Sequence, residues 1–186
     1  MSAPRFEDLS PDDYTPEQKA AADFFRETRG REPEGPFKVL LRSPELLKRA
    51  QYLGAFLRYD CTLSGPLSEF AILCVARIWS NDYEWHVHMP IARKSGVSDE
   101  IIDAMRHGRR PDGMSDEQAA VFDFSTELMQ NRRVSDETYA RAQKLFGDRG
   151  VIDLVGLNGY YSLLAMAMNA VQMRNPDGAE VLPPVD

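Results

Sequence analysis

Cysteine is scarce in this sequence: Cys61 and Cys74 are the two in a chain of 186 residues. They form no CxxC pair, which excludes a disulfide framework or a zinc ribbon and points to a reducing compartment. Positive charge is also in deficit, with 22 Lys and Arg against 29 Asp and Glu, a formal net charge of -7 and a pI near 5.0. Basic residues never run longer than a pair, so the stripe needed to follow phosphates on nucleic acid or an anionic membrane is missing. Long apolar runs are absent as well. The longest, residues 70–76, falls far short of the ~20 residues that span a bilayer, and the opening MSAPRFEDLSPDD has no apolar h-region. A cytoplasmic protein with no nucleic-acid or membrane partner is expected.

No segment alternates in polarity as a strand does; what the sequence does contain is a series of helix starts. Thr15-Pro16-Glu17-Gln18 reads as a capping box, opening a helix to about Gly30. Ser43-Pro44-Glu45 opens a second, to about Tyr59, and Ser64-Gly65-Pro66 a third, ending near Trp79 and Ser80. Asn81-Asp82 caps a fourth that reaches Gly96 and is expected to kink at Pro90. Ser98-Asp99-Glu100, Ser115 to Gln118 and Ser135-Asp136-Glu137 begin three helices read as peripheral, the last ending at Phe146-Gly147. Asp148 caps a final helix, Gly150 to about Met173, whose apolar residues fill most of its circumference and make it central. Within it, Gly156 and Gly159 imply close helix packing or an oligomer contact, and Tyr160 and Tyr161 are expected to pack with one hydroxyl tethered. The fold class is all-α: a compact bundle of about seven to nine helices. A single domain covers residues 15–174, between Pro- and acid-rich tails at 1–14 and 175–186.

Chemistry concentrates in the middle. The third helix is apolar nearly all round except Ser68, Glu69 and Arg77, so its polar residues need partners. On the fourth, Glu84 and His88 are four apart and ~40° apart in projection, while His86 points ~160° away from His88. Two acids and an imidazole on neighbouring helices suit proton transfer near neutral pH. The spacing equally suits a bland arrangement, with Glu69 complementing a helix dipole and Glu84 with His88 as surface decoration. A metal site is weaker still, because His86-x-His88 would chelate from a strand and His107 is isolated. Trp85, Met89 and Phe70 read as core, and Arg58, Arg77 and Arg93 as solvated or paired.

Glu69 leading an apolar helix, followed by Asn81-Asp82-Tyr83-Glu84-Trp85, His88, Ala92, Gly96 and Val97-Ser98-Asp99-Glu100-Ile101-Ile102, resembles the carboxymuconolactone decarboxylase-like family. Weaker likeness extends through residues 37–41 and Ser43-Pro44 upstream and Gly159-Tyr160-Tyr161 with Asn169 downstream. The resemblance implies an all-helical, cofactor-free homo-oligomer (dimer, trimer or hexamer), from either the lactone decarboxylases or the alkylhydroperoxidase-like members that use a CxxC pair. Matching Glu69 and His88 to the peroxidase motif places Asn81 and Glu84 where its cysteines would fall. Neither can attack a peroxide or form a disulfide.

The resemblance therefore implies a cofactor-independent acid/base enzyme, a lyase or isomerase, for a small carboxylated lactone-like or conjugated carbonyl substrate in aromatic-compound catabolism. His88, Glu84 and Glu69 are the expected catalytic residues. Arg77 is favoured for binding the substrate's charge, with Arg58 next and Arg93 behind it, and Tyr83 and Asn81 complete the substrate-contact set. Two alternatives stand beside this reading: a peroxidase-like antioxidant using Cys61 or Cys74, and a non-catalytic helical oligomer that binds a small ligand.

Overall fold

Most of the side chains that sign the helix starts also make their caps, although Ser43 opens its helix with no side-chain cap hydrogen bond. Thr15 Oγ1 accepts from the Gln18 amide while Gln18 accepts from the Thr15 amide, and Ser115 and Gln118 repeat the pattern. Asn81, Ser98 and Ser135 cap their helices in the same way. Gly30 closes the first helix in the left-handed region, φ 68°, where a side chain is disfavoured. A computed structural model describes residues 4–7, 9–63 and 65–185, so the expected start at Ser64 lies outside the described residues.

Eight α-helices and no strand form among the described residues: α1 (Pro16–Arg29), α2 (Pro36–Leu40), α3 (Pro44–Ala55), α4 (Gly65–Ile78), α5 (Asp82–Lys94), α6 (Asp99–Arg106), α7 (Asp116–Asn131) and α8 (Asp136–Val171). A 3-10 turn, Pro11–Asp13, precedes α1, and a π-helical turn, Phe56–Asp60, ends α3. The all-α expectation holds. α2 was not anticipated, since five residues are too few to show a helical period; Pro36 starts it, and Phe37 packs on Phe25 with ring centroids 4.7 Å apart.

The hub is α4. Its apolar circumference leaves no face for water, so every residue from Ser68 to Arg77 is buried, and α5, α7 and α8 surround it. One expectation is corrected here. α7 is not peripheral: Ala119, Ala120, Val121 and Phe124 recur at helical spacing and are buried against α4 and α8. The break expected at Gly147 is present: Gly147 leaves helical geometry (φ 67°, ψ 174°) and kinks α8 between two helical parts. One stretch of 18 residues in α8 is apolar enough by composition to cross a membrane, and 56% of that stretch is buried inside the protein, as befits a core helix.

Both tails lie on this body. The Arg5 amide donates to the Val171 carbonyl at 2.8 Å, and Leu182 joins the apolar core. Gly156 does permit close packing, because a Cβ there would stand 2.9 Å from Leu57 Cδ2; Gly159 faces open space. Gly54 seats the ring of Tyr160, whose hydroxyl oxygen is 2.1 Å from where a Cβ would be. Tyr160 and Tyr161 meet edge to face at 5.2 Å, and neither hydroxyl is tethered by a hydrogen bond among the described residues.

Gly54→Ala should therefore push Tyr160 aside and destabilise the fold by about 1–3 kcal/mol, read by urea denaturation. Gly156→Ala meets only the flexible end of Leu57 and gains helix propensity, so it should stay within about 1 kcal/mol of the parent. Equal effects of the two would contradict this packing.

Candidate functional site

Close packing of α4 on α5 brings Glu69 opposite Glu84 and His88. Glu69 Oε2 lies 2.6 Å from His88 Nδ1, and Glu84 Oε2 lies 3.3 Å from His88 Nε2. The three are almost wholly enclosed, with 6%, 3% and 3% of Glu69, Glu84 and His88 exposed. The second oxygen of Glu69 is not idle: Arg58, on the π-helical turn, donates to Oε1 at 3.3 Å. Tyr161 of α8 closes the far side, its ring edge-on to the imidazole at 5.3 Å.

Each ring nitrogen of His88 faces a different carboxyl oxygen, and an imidazole donates from both nitrogens only as the cation. Burial, the largest single influence, pulls the His88 pKa down. The hydrogen bonds and charges of Glu69 and Glu84 together outweigh it and leave the pKa raised. With Arg58 the cluster sets two cationic side chains against two acidic ones. Glu84 Oε1 is buried and has no hydrogen-bond partner among the described residues, so one acceptor inside the cluster is unused.

The other sequence-named residues are not brought to this trio. Asn81 is structural: its Oδ1 caps α5 by accepting from the Glu84 amide at 2.9 Å, and its amide nitrogen donates to Asn169 Oδ1 at 2.8 Å. Arg77 extends to the C-terminal segment, where Nη2 donates to the Pro183 carbonyl at 2.8 Å. Tyr83 turns towards Gly35 and lines a groove of about 760 Å³. That groove runs among Tyr14, Val39, Tyr83 and Arg174 and includes none of Glu69, Glu84 and His88. Arg93 pairs with Asp99 at the surface.

Tyr161 is the residue that sequence reasoning missed as a neighbour of the imidazole. Its helix packs there only through the tertiary fold, and no local spacing announces it. Among the described residues no three His, Cys, Asp or Glu side chains are placed to hold a metal ion. The thiols are also unsuited to attack. Burial raises the pKa of fully enclosed Cys74 far up, and burial likewise raises that of Cys61, whose Sγ–H donates to the Leu57 carbonyl at 3.0 Å.

Residues 44–126 match the carboxymuconolactone decarboxylase family. In fold, the chain is similar to the alkylhydroperoxidase AhpD core of an uncharacterized peroxidase-related protein from Ralstonia eutropha JMP134, with TM-score 0.74 and 15% identity over 95% of this chain and 94% of that one. An uncharacterized peroxidase-related protein from Silicibacter sp. TM1040 is similar at TM-score 0.71 and 17% identity, over 96% and 95% of the two chains. At these identities the likeness shows the fold alone. No curated protein matches the sequence.

The raised His88 pKa fixes a pH dependence. A folded-state pKa above the unfolded value of about 6.5 adds stability that is fully present below pH ~6.5 and is lost as pH rises through the folded value. Relative to His88→Gln, the parent protein should be most favoured below that pH and lose the advantage above it, measured by urea denaturation at a series of pH values. A pH-independent difference would contradict a protonated His88.

Proposed function

Because residues 44–126 match the carboxymuconolactone decarboxylase family and the fold is that of AhpD-like proteins, we propose that this chain is a cofactor-independent acid/base enzyme. Its substrate is a small carboxylated lactone-like or conjugated carbonyl compound of aromatic catabolism. The observation that carries this reading is His88, buried with each ring nitrogen at a separate acid while Glu84 Oε1 keeps an unused acceptor. The imidazolium is a proton donor held in one orientation; Glu69 and Glu84 set that orientation and favour the cation.

In a decarboxylation the C–C bond to the departing carboxyl group breaks, and its electron pair passes into an extended enolate. His88 delivers a proton to carbon, and water returns one to the ring. Arg58 is the least enclosed of the four, 24% exposed, and offers the charge nearest the trio for the substrate's carboxylate. Entry past Arg58 requires the π-helical turn Phe56–Asp60 to shift, and such turns are frequent at functional sites. The reading further takes the protein as a cytoplasmic homo-oligomer. Exposed Tyr52, Leu53 and Tyr59 near the end of α3, with Ile152 and Val155 on α8, support a covered apolar face.

One observation favours a second reading. The trio is so enclosed, and the large groove so clearly elsewhere, that Glu69, Glu84 and His88 also suit a buried structural network in a non-catalytic, ligand-binding oligomer. The missing CxxC and the raised thiol pKa values speak against the antioxidant alternative.

A panel of carboxylated lactones and conjugated keto acids, assayed for carbon dioxide release, separates these readings. His88→Gln should lower turnover about 10²-fold or more with helicity and oligomer size intact, whereas Cys61→Ser with Cys74→Ser should keep turnover. Undiminished turnover in His88→Gln would remove the imidazole from the mechanism.

A further inference from the structure

Arg77 is a second buried charge that the proposed chemistry does not use. It sits on α4 eight residues beyond Glu69, roughly 12 Å along the helix axis, and is 5% exposed. Its Nη2 donates to the Pro183 carbonyl at 2.8 Å, while Nε and Nη1 are buried with no hydrogen-bond partner among the described residues. No carboxylate among the described residues forms an ion pair with it. Asp82 acts on it only at longer range, and burial draws its pKa down. A guanidinium taken out of water with two donors unused is costly unless an anion or acceptor meets it.

What covers Arg77 is the chain after α8. The Leu182 amide donates to Asp82 Oδ1 at 2.8 Å, and the Asn175 side chain donates to Asp82 Oδ2 at 3.0 Å. The Leu182 side chain is buried in the core, and Val185 rests where a Cβ on Gly108 would be, 3.0 Å away, with Arg77 Nε 3.7 Å from the same point. The strap meets a second arginine: Glu180 Oε2 lies 3.3 Å from Arg106 Nη2, and Arg106 Nε is likewise buried and unpartnered. A peptide carbonyl on one guanidinium and a carboxylate on the other are the contacts an oxyanion ligand would make.

We propose that the C-terminal strap is a self-ligand roofing an oxyanion-binding site, in which Arg77, assisted by Arg106, receives a small carboxylate or phosphate when the strap lifts. Pro183 and Glu180 hold the place of the ligand's oxygens. Arg77 is matched to this role because its fork of donors is fixed and two of them point to no protein acceptor. The site is separate from His88 and stands or falls independently of the decarboxylase reading.

The test keeps the chain at full length. Leu182→Ser removes the buried anchor without touching either arginine, and Glu180→Gln in the same background weakens the Arg106 contact. Hydrogen exchange of residues 179–185 reports the strap, and calorimetric titration at constant ionic strength with inorganic phosphate or succinate reports the site. Exchange should accelerate, and one or both anions should bind at least tenfold more tightly than to the parent, with the preferred anion identifying the ligand class. Adding Arg77→Met should abolish the gain. A freed strap with no gain for either anion, a gain that survives Arg77→Met, or a strap that stays protected in both variants would each overturn the proposal.

Discussion

The hydrogen bond between Glu69 and His88 holds the arrangement together, because it joins the two most closely packed helices at a point sealed from water. α4 is apolar around its whole circumference, so the carboxyl group of Glu69 has to find its partners inside the protein. It finds two, one for each oxygen: His88 across the α4–α5 seam and Arg58 from the π-helical turn. Removing one partner from a buried charge set of this kind costs roughly 3–5 kcal/mol, whereas replacing the whole set with apolar side chains is often neutral or stabilising. Stability alone therefore does not account for the cluster, whereas the proposed acid/base role, which needs a proton held on an oriented imidazole, does.

Chemistry is narrowed from the other side by the sulfur atoms. A peroxide-reducing thiol needs a lowered pKa and access, and here both thiols sit where burial raises the pKa, one of them fully enclosed. At the positions where a redox relative would carry cysteines, Asn81 caps a helix and Glu84 holds the imidazole. The fold shared with those peroxidase-related proteins thus holds two carboxyl groups and an imidazole together in this chain.

Helix starts and the trio were legible in the sequence for a simple reason: capping and i,i+4 pairing are local, and local spacing is what a sequence records. Thr15, Asn81, Ser98, Ser115 and Ser135 all cap where their spacing predicts. The partnership of Glu69 with Glu84 and His88 could be read because one helix with no polar face must seek its partners in the next. Arg77 marks the limit. Its place on α4 suggested a substrate clamp, but its reach to Pro183 depends on where the C-terminal segment folds back, which no spacing encodes. Tyr161 against His88, Tyr160 in the space left by Gly54, and the burial of α7 are tertiary in the same sense.

The central claim is that His88 is a buried imidazolium donating from both nitrogens to two acids. Nitrogen-15 NMR of the ring in histidine-labelled protein, titrated from acid through neutral pH, tests it most directly. The account predicts that both ring nitrogens of His88 stay protonated to a pH clearly above the ordinary imidazole value of about 6.5. A His88 ring that is a single neutral tautomer at the pH where exposed imidazoles are still half charged would contradict it.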